Sequence, residues 1–216
     1  DEGGWPSGGA CGLVAAADGD GIFAPREIAL GKDGDAVVRK RPYPQGRAAY
    51  PSVVEKGTTR KFIELTHDAY AKRLGKDLGT TSRIVFTDEP SRPANRPGAS
   101  LGWTADFHEV FKAKKGYDIM PHMAELIKRY DDSDDRLAKL RIDVQDVMAD
   151  LFVERFLLPL RDWCRAHGVL SGGHLNGEDV PEMAAEYGHG SVLRSLRAMD
   201  VPGVDTIWRH LFPSVA

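Results

Sequence analysis

The chain has 216 residues, 42% of them hydrophobic and 28% charged, with a formal net charge of −3. Such a composition suits one globular domain or slightly more, and it gives no basic footprint for nucleic acid. No run of 18 apolar residues offers a membrane span. Cys11 and Cys164 lie far apart in apolar surroundings and read as two buried free thiols, while no Cys-x-x-Cys or His-Glu-x-x-His spacing marks a zinc site.

The N-terminal stretch Asp1-Glu2-Gly3-Gly4-Trp5-Pro6-Ser7-Gly8 sets two carboxylates before a glycine-rich turn, and residues 7–17 are small and apolar enough for a short helix. Residues 18–52 carry glycines, prolines and mixed charges with little periodicity and read as a long loop or insertion, in which Asp35 to Arg39 could form one strand. From Thr58 to Leu74, Phe62, Ile63, Leu65, Tyr70 and Leu74 recur at helical spacing, and Gly75 is a stop. Ile84-Val85-Phe86 then runs into Thr87-Asp88-Glu89-Pro90, a strand that reads as buried and is ended by a proline without an N–H.

Ser91 to Gly102 reads as a loop, after which Thr104 caps a helix through Phe107 and Phe111 that Gly116 breaks. A long helix is predicted from about Asp134 to His167 on the spacing of Leu140, Val144, Val147, Leu151, Phe156, Leu160 and Trp163, with a kink at Pro159. Two more apolar stretches end in glycines and polar groups: Val169-Leu170-Ser171-Gly172-Gly173-His174-Leu175-Asn176-Gly177-Glu178-Asp179 and Met199-Asp200-Val201-Pro202-Gly203-Val204-Asp205.

Helices alternating with strands predict a parallel α/β sheet, and four strand ends carrying carboxylates suit a (β/α)8 TIM-type barrel with an acidic pocket. Only four or five strands are visible, against the eight of a full barrel of about 250 residues, so residues 1–216 are expected to form the catalytic barrel or most of it. The ends at 87–89, 172–178 and 203–205 should share one rim.

Paired carboxylates at such a rim suit glycoside hydrolysis, in which one carboxyl protonates the leaving oxygen and the other activates water or attacks. Glu89, beside Asp88 at a strand end read as buried, would hold its proton for donation. Glu178 or Asp205 is the partner, and spacing along the chain does not choose between them; a carboxyl that activates water stands about 6.5–9.5 Å from the acid, and a nucleophile about 5–5.5 Å. Asp88 would bind a sugar hydroxyl or a cation, and His174 would donate to a hydroxyl or orient Glu178. Trp5 and Trp103, each flanked by glycine or proline near a carboxylate, are candidates for stacking on a sugar face.

Taken in order, Asp-Glu-Gly-Gly-Trp-Pro-Ser-Gly at 1–8, Phe-Thr-Asp-Glu-Pro at 86–90, Trp-Thr-Ala-Asp-Phe at 103–107, Gly-Tyr-Asp at 116–118, Trp-Cys at 163–164, Gly-His-Leu at 173–175 and Pro-Gly-Val-Asp at 202–205 resemble the catalytic barrel of α-L-rhamnosidase-like glycoside hydrolases, family 106 and its relatives. The resemblance implies hydrolysis of a terminal deoxyhexose or similar sugar, often with inversion, inside a longer multidomain enzyme of periplasmic or secreted setting. Glu89 would match the family's acid; the inverting habit favours the longer carboxyl separation, and a glycine-rich approach favours Glu178 over Asp205 as the base, with Asp205, Asp88, His174, Trp5, Trp103, Asp1 and Glu2 around the substrate. No cofactor is required; calcium near the pocket occurs in some members. Two other readings fit the same residues: a barrel that binds sugar without hydrolysing it, and a metal-assisted hydrolase with Asp88, Glu89, His174 and Asp205 as ligands.

Overall fold

The computed structural model describes residues 25–40, 51–90, 100–128, 134–178 and 190–205. Asp1, Glu2, Trp5, Cys11 and the short helix expected over residues 7–17 lie outside them. Within the stretch that read as a loop, β1 (Arg26–Leu30) and β2 (Ala36–Lys40) form an antiparallel hairpin, its turn closed by the Gly31 N–H on the Asp35 carbonyl at 2.7 Å. The other edge of β1 pairs antiparallel with β4 (Ser100–Trp103), giving a three-stranded sheet in the order β2-β1-β4. A second sheet is parallel and runs β3-β5-β6, from β3 (Ile84–Thr87), β5 (Leu170–Gly173) and β6 (Val201–Pro202).

Two separate three-stranded sheets, one of them antiparallel, replace the expected (β/α)8 barrel, and the described residues form no closed barrel. The expectation failed on long-range pairing. Ser100-Leu101-Gly102-Trp103 has no β-branched residue and reads as a loop by itself, yet it pairs with a strand more than 70 residues away in sequence. Neither β1 nor β4 follows the strand-then-crossover rule that a barrel requires. The burial expected for β3 also fails, because Ile84 and Phe86 are exposed, as are Leu170 and Val201 on the neighbouring strands.

Among the described residues the α-helices are α1 (Thr58–Leu65), α2 (His67–Leu74), α3 (Phe107–Lys115), α4 (Met123–Lys128), α5 (Asp135–Phe152), α6 (Leu158–Ala166) and α7 (Val192–Leu196). The helix expected over Thr58 to Leu74 is divided at Thr66, whose backbone departs to φ −118° while its N–H and its hydroxyl both bond the Phe62 carbonyl, at 3.0 and 2.7 Å. Gly75 and Gly116 stop α2 and α3 as expected, Gly116 in the left-handed region at φ 79°. Asp106 rather than Thr104 occupies the N-cap of α3, and it makes no side-chain cap hydrogen bond, its carboxylate being engaged in an ion pair described below.

The long helix is present as three consecutive pieces, α5, a π-helical turn at Val153–Leu157, and α6. Asp134 caps it through Arg136 N–H and Leu137 N–H at 3.0 and 3.2 Å. Pro159 has no N–H to continue the ladder, and the π turn just before it absorbs the break where a kink was expected. The apolar stripe of α5, from Leu137 through Val144 to Leu151, is buried against Phe107 and Phe111 of α3, Met123, Leu126 and Ile127 of α4, and Ile28 of β1. Trp103 belongs to this core: it is 2% exposed with its ring 4.4 Å from that of Phe107, so its bulk went to packing rather than to a sugar-binding surface.

One charged contact fastens the π turn to the start of α3. The Arg155 guanidinium donates to both Asp106 oxygens at 2.9 and 2.8 Å and to the Val54 carbonyl at 2.9 Å, and Lys56 and Thr104 also reach Asp106. Partial burial alone would raise the Asp106 carboxyl, but Arg155 and Lys56 outweigh it and hold the group well below the usual carboxylate range. Asp106→Ala would leave Arg155 half-satisfied beneath the helix. It should cost about 2–3 kcal/mol by urea unfolding, somewhat less than the about 3–5 kcal/mol of a fully buried broken pair. A loss below about 0.5 kcal/mol, the level of an exposed pair, would show that the contact is dispensable.

Candidate functional site

The parallel sheet brings the ends of β3, β5 and β6 to one edge, because parallel strands finish on the same side. β3 delivers Asp88 and Glu89, β5 delivers His174, and β6 delivers Asp205. Beyond the ladder, the His174 N–H still reaches the Thr87 carbonyl at 3.2 Å and the Gly203 N–H reaches the Gly173 carbonyl at 2.8 Å, so the three strand ends stay stitched as they leave the sheet.

That stitching needs glycine. Gly173 adopts φ 152°, and a β-carbon there would stand 2.2 Å from the Thr87 carbonyl oxygen, closer than any real contact. Glu89 is the one non-glycine residue with positive φ among those described, at 41°. Left-handed backbone at a glutamate is uncommon and is held by its surroundings.

His174 is the centre of the cluster. Its Nδ1 lies 3.0 Å from Glu178 Oε1 and its Nε2 lies 2.8 Å from Asp88 Oδ1. Ionised carboxylates only accept, so both contacts are satisfied together by the doubly protonated imidazolium. Burial pulls the ring toward the neutral form, but the hydrogen bonds and charges of Asp88 and Glu178 prevail and its pKa is raised. Glu178 is itself buried, and its Oε1 also accepts the Asp205 N–H at 2.9 Å. Glu178 therefore orients both His174 and the segment that carries Asp205.

Glu89, His174 and Asp205 each bring one ligand-type atom to within 4.8 Å of the others. One oxygen of Glu89 and one of Asp205 therefore lie within 4.8 Å of each other. Glu89 is exposed and not sunk in apolar surroundings as its strand had suggested. Of the sequence-predicted residues, Asp88, Glu89, His174, Glu178 and Asp205 are brought together; Trp103 sits in the core; Asp1, Glu2 and Trp5 lie outside the described residues.

Asp200 was passed over in the sequence. One of its oxygens takes the Ser171 N–H at 3.0 Å and the Ser171 hydroxyl at 3.1 Å, while Arg165 donates to the other at 2.6 and 3.0 Å. Burial would raise this carboxyl, but the Ser171 amide and Arg165 lower it on balance. It locks the start of β6 to β5, a few residues before the strand ends that carry the site. Its place immediately before Val201 was visible, but the partner 29 residues upstream was not.

No family model matches the chain, and no curated protein does. Among solved structures the chain is similar to the rhamnosidase from Novosphingobium sp. PP1Y, with 19% identity and a TM-score of 0.41 over 62% of this chain. The chain spans 12% of that protein's length.

Two outcomes follow from the geometry. Gly173→Ala should cost about 3 kcal/mol or prevent folding, since either the Thr87 carbonyl or the strand must move by the missing space; overpacking already costs about 1–3 kcal/mol where side chains can yield. A melting temperature unchanged by this substitution would contradict the close approach.

The second concerns pH. A histidine whose pKa is raised on folding stabilises the fold fully below its unfolded value of about 6.5 and loses that contribution as pH rises through the raised value. His174→Gln should therefore destabilise the protein more at pH 6 than at pH 9. Equal losses in urea at both pH values would mean that the ring is not held as a cation.

Proposed function

We propose that the chain carries a glycoside-hydrolysing site in which Glu89 donates the proton to the leaving oxygen and Asp205 is the partner carboxylate. The observation that carries this reading is the meeting of Glu89 and Asp205, within 4.8 Å, at the edge where three parallel strands end. Strand ends of this kind hold groups rigidly while leaving them open to a ligand. A pair of oxygens this close is compatible with the retaining arrangement, in which the carboxyls stand about 5–5.5 Å apart and the second carboxylate attacks the anomeric carbon.

In this reading Glu89 protonates the glycosidic oxygen as Asp205 forms a glycosyl ester, and Glu89 then takes a proton from the water that hydrolyses it. Glu178 is a positioning residue here, not the base, because its oxygen already receives His174 and the Asp205 amide. The His174 cation offsets part of the negative charge of Asp88, Glu178 and Asp205. Asp88, whose side chain is largely exposed, is placed to take a sugar hydroxyl. An α-L-rhamnoside is the first substrate to try, on the resemblance of the sequence motifs.

A second reading is favoured by the same short distances, since donor atoms of one cation also lie within such a span. Glu89, Asp205 and His174 Nε2 would be the ligands, with Glu178 fixing the ring through Nδ1 as ligating histidines require. An imidazole in the set fits a borderline divalent ion such as Zn2+ or Mn2+ better than calcium, which prefers oxygen throughout. Binding there would displace the Nε2 proton now shared with Asp88. A bound cation would polarise a substrate oxygen in place of proton donation.

Hydrolysis of 4-nitrophenyl and natural glycosides by Glu89→Gln and Asp205→Asn tests the first reading. Glu89→Gln should lower turnover of natural glycosides by roughly 10²–10⁴, and less for aryl glycosides whose leaving group needs little protonation. Asp205→Asn should abolish both, and the first product seen by NMR should keep the anomeric configuration. Equal losses on both substrate classes for Glu89→Gln would remove its role as acid. Activity lost to a chelator and restored by one divalent ion would select the cation reading instead.

A further inference from the structure

A cavity of about 480 Å3 lies between the π turn with the start of α6 on one side and α7 with the residues that follow it on the other, and it shares no residue with the strand-end cluster. The π turn builds part of its apolar lining. The Leu158 N–H bonds the Val153 carbonyl across five residues, and these two residues, which a regular helix would set about 140° apart, both line the cavity. Leu193 of α7 lines it too and is 72% exposed, an apolar side chain that the core leaves uncovered.

Arg161, Arg194 and Arg197 stand around the same space with Ser191, and no carboxylate lines it. Like charges gathered at one cavity repel, and an anion between them relieves that cost. Their present partners leave room for one. Arg194 is held by Asp146 at 2.7 Å and Asp150 at 2.9 Å, and Arg161 meets one oxygen of Asp162 at 3.1 Å, but none of these aspartates belongs to the lining. Asp162 is largely exposed, and an ion pair in water holds its partner weakly. The Arg197 side chain is exposed and has no ion-pair partner among the described residues. Ser191 Oγ accepts the Arg194 N–H at 3.4 Å and keeps its own proton for a ligand oxygen.

We propose that this cavity binds a small organic acid, a single carboxylate carried on an apolar body. Guanidinium groups are planar forks that match a carboxylate with two parallel hydrogen bonds. Charge supports one negative charge rather than two: Arg161 and Arg194 already touch aspartates, so the surplus is the one guanidinium of Arg197, whereas a phosphate monoester would bring nearly two charges. Size and lining call for the body. The volume falls in the about 300–1,000 Å3 of small-molecule sites, and a bare ion would leave Val153, Leu158 and Leu193 uncovered.

Calorimetric titration of the whole chain with 4-butylbenzoate is the test, with 4-butylbenzyl alcohol, the same body without the charge, and acetate, the charge without the body, as comparisons. None of these ligands carries a glycosidic bond, so failure here leaves the glycosidase reading untouched. Saturable binding of 4-butylbenzoate is expected with a Kd of about 1 mM or tighter. Each comparison should bind at least roughly 10-fold more weakly, for want of the charge-assisted hydrogen bond or of the buried chain.

Arg197→Gln, at an exposed position, should weaken 4-butylbenzoate roughly 10-fold and leave the alcohol unchanged. Arg161→Gln, on α6, carries the same expectation and serves if the first variant does not fold. Leu193→Ser should weaken 4-butylbenzoate while acetate stays as it was. The proposal is overturned by the absence of saturable 4-butylbenzoate binding to the wild-type chain, and equally by an alcohol or acetate that binds as tightly. Undiminished binding to a folded Arg197→Gln or Arg161→Gln variant would overturn it as well.

Discussion

The cluster at the sheet edge depends on the bare backbone of β5. This strand is the middle one of the parallel sheet, and at Gly173 the neighbouring chain approaches to a distance that no side chain survives. Because that approach is allowed, the Thr87 carbonyl can take the His174 amide, and the Gly173 carbonyl can take the Gly203 amide. Residues from three sequence-distant segments are then held within hydrogen-bonding reach by main-chain contacts, before any side-chain interaction is formed. His174, Glu178 and Asp205 add a second set of bonds on a frame that already exists.

Two ion pairs tie the long helical run to other parts of the fold. At the π turn, Arg155 and Asp106 join that turn, the start of α3 and the Val54 carbonyl into one unit. Beside the parallel sheet, Arg165 and Asp200 join α6 to β5 and β6. In both cases the arginine comes from the same long helical run, one residue within the π turn and one near its end. That run therefore fixes the strand ends and the opening of α3 relative to a common rod, which is packed through its apolar stripe on the rest of the core.

The legible part of the site was local. An apolar run leading into Asp88-Glu89-Pro90, or into Gly172-Gly173-His174, is visible because strand, turn and presented group are contiguous, and the three segments do share one edge of the parallel sheet. What could not be read depended on partners far away in sequence. Ser100–Trp103 is a strand only because β1 lies beside it, and that pairing removed the closed-barrel expectation. Glu178 read as a base because its own neighbours are glycine and polar residues; its confinement comes from the amide of Asp205, 27 residues on. Trp103 read as a loop aromatic for the same reason and proved to be core.

The left-handed backbone of Glu89 has a consequence for how this sequence would drift. A glutamate at φ 41° is less comfortable than glycine or asparagine would be, by an amount on the order of 1 kcal/mol. Selection for expression or heat resistance alone would accordingly favour replacing it, and stabilised lineages would be expected to lose this carboxylate early. Persistence of glutamate at this position in a population free to relax would be a record of demand on the side chain, written in a residue that folding itself disfavours.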